Sequence, residues 1–177
     1  MTDSLDLGPD GQLNQALALL RGDEKEGALS DRMDFAPGVT LRADPALELG
    51  GRYASPAGQL IAFEAEVAGR GGWCGLHLGL PARDLSDRGM LGFACRSAAP
   101  EIRVIQPCLR SGTADGFEDC FFDKHILSQP EESSHVDILP VGRRARFPVE
   151  APWRELILFL PLASFRWSLI DLRIFVI

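Results

Sequence analysis

Between residues 59 and 67 the chain alternates: Ile61, Phe63, Ala65 and Val67 fall on one side of an extended strand, Glu64 and Glu66 on the other. A period of two cannot serve a helix, whose apolar stripe recurs every three or four residues. It makes a ribbon with one greasy face that a second layer must cover. Short apolar runs at 38–43, 73–80, 90–97, 101–109, 119–126, 134–139, 153–160 and 168–177 extend the theme. Turn-forming stretches such as Gly69-Arg70-Gly71-Gly72 and Ser111-Gly112 divide them. None carries a helical period. So many short strands with so little helix predict an all-β fold, an antiparallel β-sandwich or jelly roll. The last run, from Leu169 to Ile177, is apolar enough to be an aggregation hazard unless it is paired inside a sheet.

The first 37 residues differ. They hold a polar start, a short helix-favouring stretch at 12–20 and a charged, glycine-bounded segment at 21–27. They are predicted to be a helical or disordered N-terminal extension and linker, with residues 38–177 as the β-sandwich domain. A length of 177 residues suits one domain with a sizeable core. Arg21-Gly22-Asp23 spells an integrin-recognition tripeptide and is read as chance.

Charge narrows the partners. With 18 Lys+Arg against 25 Asp+Glu the net charge is −7 and the pI about 4.9, which argues against a nucleic-acid partner. No apolar run reaches the ~18–20 residues that cross a bilayer, so no membrane partner is predicted. The acidic start, Met1-Thr2-Asp3-Ser4-Leu5-Asp6, lacks the features of a signal peptide, and a cytoplasmic location is expected. Cys74, Cys95, Cys108 and Cys120 have no metal-type spacing and are expected to be free core thiols.

Alternation also sorts the polar residues. Leu76, Leu78 and Leu80 oppose Trp73 and His77; Leu91, Phe93 and Cys95 oppose Arg96; Ile102, Val104 and Cys108 oppose Arg103. Cys120, Phe122 and Ile126 oppose Asp119, Phe121, Asp123 and His125, and Ile170, Leu172, Ile174 and Val176 oppose Asp171 and Arg173. One set packs a core. The other carries aromatics, imidazoles, arginines and carboxylates, and if its strands are neighbours it forms a polar concave face. That mixture suits sugars: planar Asp and Arg groups chelate vicinal hydroxyls while a ring stacks on the apolar sugar face. The candidate ligand-binding set is Trp73, His77, Arg96, Arg103, Arg110, Asp119, Phe121, Asp123 and His125. Arg110 has the opposite parity to Arg103, and a bulge at Pro107 would bring the two to one side. Trp73, beside the glycine turn, is the expected platform, with Trp153 and Trp167 anchoring the core or a strand end.

The runs Met90-Leu91-Gly92-Phe93-Ala94-Cys95-Arg96-Ser97, Val104-Ile105-Gln106-Pro107-Cys108-Leu109-Arg110-Ser111-Gly112 and Trp153-Arg154-Glu155-Leu156-Ile157-Leu158-Phe159-Leu160-Pro161 resemble successive strands of a galactose-binding-like jelly roll, and Leu169 to Phe175 is similar to its last strand. Carbohydrate-binding modules and the complex I intermediate-associated protein family share that architecture. The resemblance covers about 38–177 and implies a binding or interaction module more than an enzyme. It also implies a possible structural calcium, to which Asp171 would contribute, although no cluster of acidic residues accompanies it.

Other chemistry finds less support. The lone His77 does not make a cupin-type metal site. Asp119, Asp123 and His125 share a strand face and approach a ligand set, but read better as ion-pair or sugar-binding residues. Asp119 with Asp123, or Glu64 with Glu66, could be cast as a glycosidase acid pair, but same-strand pairs are ordinary surface features, and no nucleophile elbow, phosphate loop or His-Glu-x-x-His motif occurs. The basic run Arg143-Arg144-Ala145-Arg146 marks a loop or edge that would grip an anionic glycan or a protein partner. The expectation is therefore a non-catalytic carbohydrate binder, needing no cofactor and no catalytic or metal residue, whose partner is a carbohydrate or anionic glycan. The alternatives are a protein-interaction or assembly module and a carbohydrate-active enzyme with an unrecognised acid pair.

Overall fold

The alternation at 59–67 is a real strand, and its apolar side meets a second sheet. In the computed structural model, which describes residues 8–177, the helix α1 (Gly11–Gly22) is followed by β1 (Lys25–Ala28), β2 (Arg32–Ala36), β3 (Val39–Ala43), β4 (Leu49–Ser55), β5 (Ile61–Val67), β6 (Cys74–Leu80) and β7 (Met90–Ala98). Then come β8 (Arg103–Thr113), β9 (Gly116–Phe121), β10 (Ile126–Ser128), β11 (Ser133–Pro140), β12 (Arg154–Phe159) and β13 (Phe165–Val176). A six-stranded sheet runs β1-β4-β5-β13-β7-β11, and a seven-stranded sheet runs β10-β8-β12-β6-β3-β2, with β9 also paired to β8. All these pairings are antiparallel, as the all-β sandwich reading predicts.

The inner faces interdigitate as alternation dictates. Ile61 and Phe63, Leu91 and Phe93, and Trp167, Leu172 and Ile174 from one sheet share a core with Leu41, Leu76, Leu78, Ile105, Leu109, Leu156 and Leu158 from the other. Trp167 is the largest side chain in that core, and its Nε1–H donates to Ser128 Oγ at 2.8 Å, so the one polar atom of the indole is satisfied. The apolar last strand β13 lies between β5 and β7, which removes the exposed edge its composition would otherwise present.

The expected boundary at residue 38 falls inside the sandwich. β1 pairs with β4 and β2 with β3, while Leu13, Leu17 and Leu20 of α1 join the common core. Asn14 acts as a short stand-in for a strand: its amide N–H donates to the Ile174 carbonyl at 2.8 Å, and its oxygen accepts the Ile174 N–H at 3.0 Å. β5 pairs only with the first half of β13, so the helix takes over where the neighbouring strand has ended. The part of the expected extension before residue 8 lies outside the described residues.

The facing of β8 is the reverse of the one read from its apolar residues. Ile105 and Leu109 point inward, whereas Ile102 and Val104 are exposed. Arg103 therefore has inward parity at the rim, while Arg110 faces outward. There is no bulge at Pro107, whose pairing with Leu158 lies in an unbroken register. The proline is tolerated because its side of the strand looks into the gap between β9 and β10, where its carbonyl accepts the Phe122 N–H.

Candidate functional site

The register of the seven-stranded sheet lays its outward side chains in rows. One row runs Asp119, Arg110, Glu155, Gly79 across β9, β8, β12 and β6. The next runs Phe121, Cys108, Ile157, His77, Thr40 and Asp34, reaching β3 and β2. The third runs Gln106, Phe159, Gly75, Arg42 and Arg32. A recess of about 710 Å3 opens on this face, lined by Arg42, Trp73, His77, Arg110, Phe117, Trp153, Glu155 and Phe159.

Two glycines shape it. Gly75 leaves a gap in the third row, and a Cβ there would meet Ile157 Cγ2 at 2.9 Å and His77 Nε2 at 3.3 Å. Across that gap the Trp73 ring approaches His77 edge-on, with centroids 6.4 Å apart. Gly112 does the same for the opposite wall, since a Cβ on it would stand inside the Trp153 indole. Trp73 and Trp153 thus lie across the sheet with 42% and 43% of their surface open to solvent, two ring faces on which an apolar surface can stack.

The polar groups between the rings are held in place. Arg110 donates two parallel hydrogen bonds to Asp119, from Nε at 2.7 Å and a terminal nitrogen at 2.8 Å. Its guanidinium carbon also lies 3.8 Å from the centroid of Phe117. The hydrogen-bonded carboxylate keeps the Arg110 pKa above its ordinary value. His77 is buried, with Nδ1 3.2 Å from Glu155 Oε2 but misaligned for a hydrogen bond, so neither ring nitrogen has a partner among the described residues. Cys108, on the floor beside Ile157, is held as a neutral thiol because burial pushes its pKa above the usual thiol range. Burial likewise pushes the Cys74 and Cys95 thiols to about 12.

Of the nine residues expected to gather, Trp73, His77, Arg110, Asp119 and Phe121 share this face. The other four do not. Arg96 is on β7 of the opposite sheet, paired with Glu132 at 3.3 Å. Arg103 sits at the rim against Glu101 at 2.7 Å. β9 ends at Phe121, so Asp123 and His125 belong to the following loop. There Asp123 pairs with Arg144 of the basic run and His125 is exposed. This loop breaks up the set Asp119, Asp123 and His125, and no group of three or more metal-ligating side chains occurs among the described residues. Asp171 pairs with Arg21 at 3.3 Å.

Arg42, Phe117, Trp153, Glu155 and Phe159 escaped sequence reasoning. Arg42 was visible opposite Val39, Leu41 and Ala43. Glu155 and Phe159 share Trp153's parity, but the intervening Ile157 makes both faces of that run look apolar. A second concavity of about 680 Å3 at the sheet rim holds Arg52 with Glu64, and Arg103 with Glu101, as ion pairs, and its one aromatic lining residue, Phe165, is buried.

No family model matches the sequence, and no curated protein does. Among solved structures, the chain is similar to the family 30 carbohydrate-binding module of the Clostridium thermocellum cellulosomal cellulase Cel9D-Cel44B, with a TM-score of 0.48 at 14% identity over 86% of this chain and 90% of that one. It is also similar to the CBM22-1 xylan-binding domain of Paenibacillus barcinonensis Xyn10C (TM-score 0.47, 8% identity, 88% and 90% covered). A third is the family 11 module of C. thermocellum Lic26A-Cel5E (TM-score 0.42, 10% identity, 86% of each chain). These neighbours are of the same kind as the β-sandwich modules that the strand pattern resembles. At such identities and TM-scores the likeness carries nothing about ligand or activity, and what the face can bind follows from its own side chains.

Proposed function

We propose that the chain is a non-catalytic carbohydrate-binding protein whose ligand lies in the recess on the outer face of the seven-stranded sheet. The observation that carries this reading is the pair of half-open indoles, Trp73 and Trp153, flanking His77, Arg110 and Glu155. A sugar ring offers C–H faces for the indoles and hydroxyls at its edge for planar polar groups, and both requirements meet here. The Asp119–Arg110 fork is fixed before any ligand arrives, so little side-chain freedom is lost on binding. Four buried, unpaired thiols suit a reducing compartment, and we place the protein in the cytoplasm.

Affinity electrophoresis and calorimetry against soluble neutral and acidic polysaccharides test the reading. At least one should retard the protein, and Trp73→Ala and Trp153→Ala should each weaken it by about tenfold or more, near 1.4 kcal/mol, with circular dichroism unchanged. If no glycan retards the wild-type protein, the reading fails.

A further inference from the structure

The end of the recess nearest β2 and β3 carries two arginines without a salt-bridge partner among the described residues. Arg42 and Arg32 stand directly opposite each other in the antiparallel register and share the outward face. Both are exposed, and neither makes an ion pair among the described residues. The one polar side-chain contact of Arg42 is a long hydrogen bond, 3.5 Å, from Nε to Thr40 Oγ1. Like charges placed directly across a strand pair are unfavourable, and an anion between them turns that cost into attraction. The nearby carboxylates do not pair with them: Asp34, on the same face, makes no salt bridge among the described residues, and the two oxygens of Asp44 are occupied by the N–H groups of Ala46 and Gly72, which leaves both guanidiniums free of an ion pair.

A second feature converges on the same spot. His77 is only 6% exposed, and its unpartnered Nε2 borders the gap left by Gly75. Gly75 is the cross-strand partner of Arg42. A buried polar atom without a partner is costly unless a ligand completes it. Beside it, Trp73 provides the ring face.

Building on the proposed glycan site, we infer that its ligand is an acidic glycan, with an anionic substituent, carboxylate or sulfate ester, held between Arg42 and Arg32 while the same sugar unit lies along Trp73 and reaches His77 across Gly75. The net charge of −7 does not oppose this. Screening confines the interaction to about 8 Å at physiological ionic strength, so the local guanidiniums decide it.

The test uses matched ligands: hexagalacturonate and hexamannuronate against their methyl esters, and a sulfated galactan hexasaccharide against its desulfated form. Titrations are followed by calorimetry and tryptophan fluorescence at low and physiological salt. At least one acidic member should bind about tenfold or more tightly than its neutral counterpart, with the preference shrinking as salt rises. The uronate and sulfate arms identify which anion is preferred. The double variant Arg32→Ser/Arg42→Ser should lose the preference, binding the acidic form no more tightly than its neutral counterpart, its thermal midpoint confirming the fold. If neutral forms bind as tightly as acidic ones, or the double variant keeps the preference, the acidic-glycan inference is overturned and the carbohydrate site stands. If neither charged nor neutral glycans bind, both fall together.

Discussion

His135 is the residue whose environment most directly ties pH to stability. Its ring stacks on Phe93 with centroids 5.5 Å apart, and its buried Nε2 has no hydrogen-bond partner among the described residues. Burial lowers its pKa below the ordinary histidine value, an effect that the charge on Asp137 only partly offsets. The unfolded chain therefore takes up a proton more readily than the folded one. Stability from the neutral ring is complete above the unfolded pKa of about 6.5 and is lost as pH falls through that value toward the lower folded pKa. The urea midpoint should drop between pH 7 and pH 5, before most carboxylates titrate. His135→Phe keeps the stacking and removes the proton site, so it should flatten that slope. An identical slope in the variant would show that another group controls it.

Elements explain both what the sequence disclosed and what it concealed. β5 and β6 were legible because only one of their faces is greasy: Ile61 and Phe63 oppose Glu64, and Leu76 and Leu78 oppose His77. Hence Trp73 and His77 could be read as standing opposite the inward leucines of β6, which is where the structure has them. β8 was misread because apolar side chains occupy both of its sides, Ile102 and Val104 outward and Ile105 and Leu109 inward, so parity alone cannot choose. β1 escaped because an edge strand reading Lys-Glu-Gly-Ala buries almost nothing. β4 escaped because Gly50 and Gly51 interrupt its alternation. The walls of the recess were hidden for a related reason: a glycine on one strand is a place for an aromatic from another, and that pairing exists only in the folded register. Gly112 tests this. Gly112→Ala leaves the strand backbone acceptable but forces the Trp153 indole off the sheet. The variant should show red-shifted tryptophan emission and weaker glycan binding, at a stability cost of about 1–3 kcal/mol for the added methyl. Unchanged emission would mean that Trp153 does not rest where Gly112 allows it.

At the scale of the molecule, the question is whether residues 8–37 are an appendage or part of the sandwich. Their large apolar side chains answer it. Leu13, Leu17, Leu20, Leu29 and Phe35 are between 2% and 6% exposed and belong to the common core. Full burial of each is worth about 1.5–3 kcal/mol, so the five contribute on the order of 10 kcal/mol, an upper figure because unfolded chains already bury some apolar surface. A domain of this size has a net stability of about 5–15 kcal/mol in total. Their removal would therefore cancel most of it, while also exposing the outer edges of β3 and β4, which β2 and β1 now cover, and the half of β13 that Asn14 satisfies. A chain beginning at residue 38 should lack a cooperative urea transition, bind a hydrophobic dye, and fail to retain any glycan ligand of the full chain. A cooperative transition with a midpoint close to that of the full chain would restore the appendage reading. It would also mean that the helix and the first two strands contribute far less than their burial indicates.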